Sequence, residues 1–235
     1  KAHGIFYTPR VLVDYVTSLT VTAPEPFPTR PFFTILDPAC GSGAILLGVY
    51  QRILDWYHAA YVKQLPRSAA HLYQTTAGEW RLTLIERQRI LLDHIYGVDL
   101  DAQAAEVAKR SLLVKMYEEL LFPVEGKRTF ATPEALLNDL FDNIKCGNSL
   151  LGSDFRPLPH PVAGEQDSLD SQRLFNWPAE FPHILGAGGF DAIVGNPPYV
   201  NVRQLAQTQD ADVKKYLAAN YQTARGNYDL YVLFV

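Results

Sequence analysis

Asn196-Pro197-Pro198-Tyr199 follows the apolar run Phe190-Asp191-Ala192-Ile193-Val194-Gly195. That run reads as a buried strand. The tetrapeptide then falls at the carboxyl edge of a sheet, where open α/β sheets bind ligands. The Asn196 side-chain oxygen and the Pro197 carbonyl can both accept hydrogen bonds from one planar amino group. The Tyr199 ring can stack on the heterocycle that carries it, and Pro198 adds a second rigid residue to the loop. Such a site holds an exocyclic NH2 and makes its nitrogen nucleophilic. Pro-Pro after a strand is also a common loop, and Asn before Pro often only starts a turn, so the tetrapeptide needs company.

Company is found at three other junctions. Asp37-Pro38-Ala39-Cys40-Gly41-Ser42-Gly43 lies between an apolar run and a helical pattern. Glycines there let backbone N–H groups and a helix N-terminus approach a ligand. The dinucleotide fingerprint is broken, because Leu46 holds the third glycine position, and the P-loop lysine is missing. Asp37 would repel a phosphate and suits an ammonium or a sulfonium-bearing ligand. Asp99 ends a second apolar run, where it can accept hydrogen bonds from ribose hydroxyls. Asn148, after a third, can bond an adenine amino group. For Asp99 or Asn148 alone, strand-end capping or a turn explains the residue as well. Together the set describes a pocket for S-adenosyl-L-methionine, with an acid for the methionine amine, glycines for close approach, an acid for ribose and an amide for adenine.

These side chains need a scaffold of alternating strands and helices. Thr8 suits a helix N-cap and Pro9 the first helical position, with Val11, Leu12, Tyr15, Val16 and Leu19 as the apolar face. A proline-rich connector runs from Pro24 to Pro31, and Phe32–Leu36 fits a buried parallel strand. Helices are expected over Ala44–Lys63, Arg81–His94 and, capped by Asp101, to about Leu121. Ile95–Leu100 and Asn143–Cys146 read as strands, and Pro133–Leu140 as a short helix. Asp37 and Asp99 stand 62 positions apart, against about 20 in a compact dinucleotide fold, so residues 51–94 carry a helical insertion. Residues 152–189 read as a long loop. The alternation predicts a doubly wound, mostly parallel Rossmann-like α/β sheet.

Composition sets bounds on this reading. With 235 residues, 48% of them hydrophobic, the chain can build one sizeable core or two small ones. A net charge of −4 is not the footprint of a stand-alone nucleic-acid binder. Phosphate contacts, if any, then belong to a local patch or another domain. Cys40 and Cys146 fit no disulfide or metal spacing and read as packing residues. The six histidines are scattered, and no metal is expected. No stretch reaches membrane-spanning length and no signal-peptide core opens the chain, so a cytoplasmic protein is expected. The apolar run Tyr228–Val235 at the end suggests a piece of a longer protein.

The motifs resemble those of the N6-adenine DNA methyltransferases of restriction–modification systems, in the gamma-class order. The likeness covers nearly the whole chain as one catalytic domain, residues 1–235. Gly4-Ile5-Phe6-Tyr7-Thr8-Pro9, within a leading segment of residues 1–24, looks like motif X. Asp37–Gly43 looks like motif I, Gly97–Leu100 motif II, Gly147-Asn148-Ser149-Leu150 motif III and Asn196–Tyr199 motif IV. The fused type IIG enzymes share the long segment before motif II and the Phe-Asp-Ala-Ile-Val-Gly lead-in. Asn148 stands where many relatives have Asp. The later motifs and the target-recognition domain are not in this chain.

By resemblance, the cofactor is S-adenosyl-L-methionine, held by Phe6, Tyr7, Thr8, Pro9, Asp37, Ala39, Cys40, Gly41, Gly43, Asp99, Leu100, Asn148 and Ser149. The partner is double-stranded DNA with an adenine flipped out, and a fused nuclease or defence-complex partner is a further expectation. Asn196, Pro197, Pro198 and Tyr199 would be the catalytic set, with no covalent nucleophile, and Asp191 is expected to be structural. Rival readings are methylation of a protein glutamine amide or an RNA base, and a non-catalytic cofactor- or DNA-binding subunit. The glutamine methyltransferases also carry Asn-Pro-Pro-Tyr but lack the segment Gly4–Pro9. Glu125-Gly126-Lys127 and Asp212-Val213-Lys214 have a nuclease-like spacing but read better as solvated charges. Arg203, Lys214, Lys215 and Arg225 can line a DNA cleft or sit on an ordinary exposed helix.

Overall fold

A computed structural model describes residues 8–20, 33–118, 140, 142–156, 173–202 and 211–234. Four parallel strands form the central sheet: β1 (Ile35–Asp37), β4 (Ile95–Asp99), β5 (Ile144–Cys146) and β6 (Ala192–Ile193). Their spatial order is β5-β4-β1-β6. The winding reverses between β1 and β6, and at such a switch point the carboxyl edge opens a crevice. Register places Asp37 of β1 beside Gly97 of β4, and Asp99 beside Cys146 of β5. The fold is the doubly wound, mostly parallel α/β sheet that the alternation predicts.

Alternation along the strands sends side chains to two faces. Ile35 and Ile95 join one core with Leu46, Val49, Tyr50 and Ile53 of α2 (Ala44–Lys63), Ile90 and Leu91 of α3 (Leu84–His94), and Ala108, Leu112 and Met116 of α4 (Ala102–Tyr117). Leu36 and Val98 face the other way, onto Phe175 and Phe181 with Tyr96, Trp177 and Phe190 around them. Asp191 Oδ2 accepts from the Thr34 N–H at 2.8 Å, clamping the starts of β1 and β6. The carboxylate is structural.

Several elements differ from the sequence expectation. Residues 51–94 are not wholly helical, because β2 (Leu72–Gln74) and β3 (Trp80–Leu82) pair as an antiparallel hairpin. Gly78, at φ +85, supplies its turn. α3 therefore starts at Leu84, where Thr83 accepts from the Glu86 N–H at 3.3 Å. Residues 152–189 are not one loop, since α5 (Trp177–Glu180) and α6 (Pro182–Gly186) cover the aromatic face of the sheet. The expected helix over Pro133–Leu140 lies outside the described residues apart from Leu140.

The first helix, α1 (Arg10–Thr20), is rotated from its expected face. Val13 and Thr17 are buried, whereas Val11, Leu12, Tyr15 and Leu19 are exposed. The cause lies in α2. A Cβ on Gly48 would stand 2.3 Å from Val13 Cγ1 and 3.3 Å from Thr17 Cγ2, so the missing side chain lets α1 seat there. Close approach decides the face, against the larger apolar residues.

Candidate functional site

The residues predicted to hold ligands collect where β1, β4, β5 and β6 end. Asp37 closes β1 and is 1% exposed. Its Oδ1 accepts from the Ala39 N–H at 3.1 Å, and its Oδ2 takes no hydrogen bond among the described residues. Burial first, and the charge of Asp99 second, push its carboxyl up to about 7. Gly195, just before the Asn196 loop, passes against this group. A Cβ there would lie 2.8 Å from Asp37 Oδ1, so only glycine lets the two loops meet.

The glycine loop is tied to the next strand. The Gly41 N–H donates to Asp99 Oδ2 at 2.7 Å, and the Asp101 N–H to Asp99 Oδ1 at 2.8 Å. Both oxygens keep a second lone pair. Burial raises the Asp99 carboxyl as well. Gly41 and Gly43 have φ of +53 and +85, a region other residues rarely enter, and Gly43 packs on Ala108 as it leads into α2. Cys40 is buried, and burial, then the charges of Asp37 and Asp99, holds its thiol well above the usual range. It packs against Gly97. Leu100 is half-exposed at the rim.

Beyond β5, Asn148 Oδ1 accepts from the Leu150 N–H at 3.1 Å. That turn fixes the amide, so Nδ2 is the branch without a partner among the described residues. Its neighbour Ser149 donates its hydroxyl to the Pro38 carbonyl, joining motif III to the glycine loop. Trp177 Nε1 donates to the Ser149 carbonyl at 3.1 Å.

Beyond β6, Val194 N–H still donates to Leu36 O at 2.8 Å, which carries Asn196, Pro197, Pro198 and Tyr199 to the same edge as Asp37. Asn196 Nδ2 donates to Thr8 Oγ1 at 3.3 Å. Thr8 is not the helix cap expected of it. α1 opens with the Leu12 and Val13 N–H groups on the Pro9 carbonyl, one residue later, which leaves the Thr8 hydroxyl for Asn196. Phe6 and Tyr7 lie outside the described residues. Tyr199 is 60% exposed and meets Tyr231, ring centroids 5.5 Å apart.

Comparison with known proteins gives the family. The family model described as N-6 DNA Methylase matches residues 1–149, and the one described as Eco57I restriction-modification methylase matches residues 93–235. The chain belongs to these adenine-N6 DNA methylase families.

Among curated relatives, the methylase chain is 30% identical over 199 residues to the type II restriction enzyme and methyltransferase RM.Eco57I of Escherichia coli. That match covers 85% of this chain and 18% of the relative. It is 24% identical over its whole length, and over 17% of the relative, to the adenine-specific methyltransferase PglX of Streptomyces coelicolor. Half of it is 35% identical to 8% of a putative type II restriction enzyme and methyltransferase of Methanocaldococcus jannaschii. The chain thus spans less than a fifth of the length of these relatives.

Beside this edge lie residues that sequence reasoning did not single out. Tyr231 supports the Tyr199 ring, and its segment is held in place by Leu230 N–H on Val200 O at 2.8 Å and by Asn201 Nδ2 on Asp229 Oδ1 at 2.9 Å. The aromatic spacing of Tyr228 and Tyr231 was the visible signal. Of the basic residues considered for DNA, Lys215 and Arg225 are exposed and Lys214 half-buried, while Arg203 lies outside the described residues. Asp212 and Lys214 fall in the helix Ala211–Asn220, α7 in chain order, and Glu125–Lys127 lies outside the described residues. No described helix is long and apolar enough to cross a membrane. Among the described residues, no group of three or more His, Cys, Asp or Glu is placed to hold a metal.

Proposed function

We propose that the chain is the catalytic domain of a site-specific DNA adenine-N6 methyltransferase, acting in the cytoplasm on an adenine flipped out of double-stranded DNA. One observation carries the reading. The switch point brings a buried carboxyl, one of whose oxygens takes no hydrogen bond among the described residues, within reach of a loop that offers an amide, a carbonyl and an exposed ring. A carboxyl of pKa about 7 in that position suits a cation, which would draw it back to the ionised form.

The donor set fits S-adenosyl-L-methionine. Asp37 would face its ammonium, the spare lone pairs of Asp99 its ribose hydroxyls, Gly41 and Gly43 its close backbone approach, and Asn148 Nδ2 a ring nitrogen of its adenine. Asn148 Oδ1, which serves Leu150 with one lone pair, keeps the other for the expected bond from the adenine amino group. Bound there, the cofactor supplies an electrophilic methyl group on a sulfonium. The chain's own work falls to motif IV. Asn196 Oδ1 and the Pro197 carbonyl accept the two N6 hydrogens, which localises the nitrogen lone pair for attack. Tyr199 stacks on the flipped base and fixes the angle of approach. The new N–C bond forms as the methyl–sulfonium bond breaks to leave a neutral thioether, and one N6 proton leaves to solvent. Preorganised acceptors and alignment supply the acceleration.

The test is transfer from radiolabelled S-adenosyl-L-methionine to unmodified duplex DNA by the natural protein that carries this chain, followed by digestion to nucleosides. Label in N6-methyladenine is the expected result. Label in protein or RNA instead would move the substrate to a rival class, and bound cofactor with no transfer would make the chain a binding subunit.

A further inference from the structure

The hydrogen bond between Asn196 and Thr8 joins residues 188 positions apart. Thr8 is 9% exposed, and it stands at the head of α1, a helix locked to α2 where Gly48 meets Val13 and Thr17. The hydroxyl thus stands two residues before a helix packed on α2, while its partner sits on a loop whose next aromatic residue faces solvent.

We propose that Thr8 is a positioning residue for methyl transfer: it anchors the Asn196 carboxamide by its nitrogen so that Oδ1 is the branch presented to the target amino group. This rests on the adenine methyltransferase reading. A carboxamide has two orientations of nearly the same shape, and only one serves the reaction. With Nδ2 on the Thr8 hydroxyl, Oδ1 accepts from the incoming N6 hydrogen. With the amide reversed, two NH2 groups face each other and both lack an acceptor. The hydroxyl can bond either branch, but the bonds to Thr8 and to the base are made together in one orientation only. The leading segment thus serves the catalytic loop, besides any cofactor contact made by Phe6, Tyr7, Thr8 or Pro9.

The experiment compares Thr8→Val, Thr8→Ala and Thr8→Ser in the natural protein. Single-turnover methyl transfer to duplex DNA and equilibrium binding of S-adenosyl-L-methionine are measured side by side. Thr8→Val and Thr8→Ala should each slow transfer about tenfold, the order of one neutral hydrogen bond. Rates are compared at saturating S-adenosyl-L-methionine, so that any share of Thr8 in cofactor binding does not enter them. Thr8→Ser keeps the hydroxyl and should recover the rate to within about threefold. Two hydroxyl-free variants, one retaining bulk and one losing it, separate the missing bond from a packing defect. Wild-type rates in both, a loss confined to cofactor affinity, or a Thr8→Ser variant as slow as Thr8→Val would each overturn the assignment. If the unmodified protein methylates no adenine, the underlying reading fails and this inference falls with it.

Discussion

The two halves of the sheet edge are built differently. At the ends of β1, β4 and β5, polar side chains are already bonded into the backbone. Asp99 holds the Gly41 and Asp101 N–H groups, Asn148 holds Leu150, and Ser149 holds Pro38. Beyond β6 the groups stay open. Tyr199 is largely exposed, and Asn196 has one side-chain hydrogen bond among the described residues. The first half is finished in advance because loop N–H groups need acceptors in any case, and the same bonds shape a pocket. The second half cannot be closed before its partner enters. Cofactor affinity and transfer rate should therefore separate on mutation.

Asn196→Ala is the strongest way to break that separation. It removes one of the two acceptors proposed for the target amino group, and transfer should fall by about a hundredfold to a thousandfold, as for loss of a preorganised polar group. Cofactor binding should stay within about twofold. A parallel fall in affinity would mean the halves are not independent. Asp99→Ala is the mirror experiment. Losing two hydrogen bonds to a charged group and the clamp on Gly41 should weaken cofactor binding roughly a hundredfold. Rates at saturating cofactor should change far less, and unchanged affinity would remove Asp99 from the pocket.

Asp37 sharpens the comparison through pH. Its carboxyl, usually near 3.8, is pushed up to about 7 in the fold by burial and by Asp99. The folded state thus binds the proton more tightly than the unfolded state does. The stability this group contributes is full below about pH 4 and is lost as pH rises through about 7. Against an Asp37→Asn variant, the cofactor-free protein should lose several degrees of melting temperature across that window. S-adenosyl-L-methionine should restore part of the loss in the natural protein and not in the variant. Parallel melting curves for the two proteins would show that Asp37 carries no such burden.

Much of this was legible in the residues. Gly43 followed by apolar residues at helical spacing marks the start of α2 at Ala44, and the carboxyl ends of the runs mark where Asp37, Asp99, Asn148 and Asn196 fall. The failures differ in range along the chain. The buried face of α1 is chosen by the absent side chain of Gly48, which nothing in α1 reveals. The extra helical turn assigned at Arg81 gave way to a hairpin, because Trp80–Leu82 pairs with Leu72–Gln74. Thr83 and Glu86 form a capping pair at the true start of α3, a local signal that was overlooked. For Asp37, charge and position could be read, but the burial that sets its proton affinity could not. The bond from Asn196 to Thr8 crosses almost the full chain and had no local trace.

The smallest expected effect tests where the open half ends. Tyr231 is about one-third exposed, and its ring lies 5.5 Å from that of Tyr199 at an interplanar angle of 42°. An aromatic pair contributes about 1 kcal/mol beyond area burial. Tyr231→Leu keeps an apolar side chain but removes the paired ring, so the Tyr199 ring should sample more orientations before the base arrives. Transfer should slow by a few-fold, with cofactor affinity unchanged and only a small shift in melting temperature. Tyr199→Leu should cost more, since it removes the stacking surface itself. If Tyr231→Leu lowered cofactor affinity instead, the C-terminal segment would belong to the finished half and the boundary at β6 would be misplaced. If it changed neither quantity while Tyr199→Leu did, Tyr199 would hold its angle without the second ring, and the open half would be organised by Asn196 and its anchor alone.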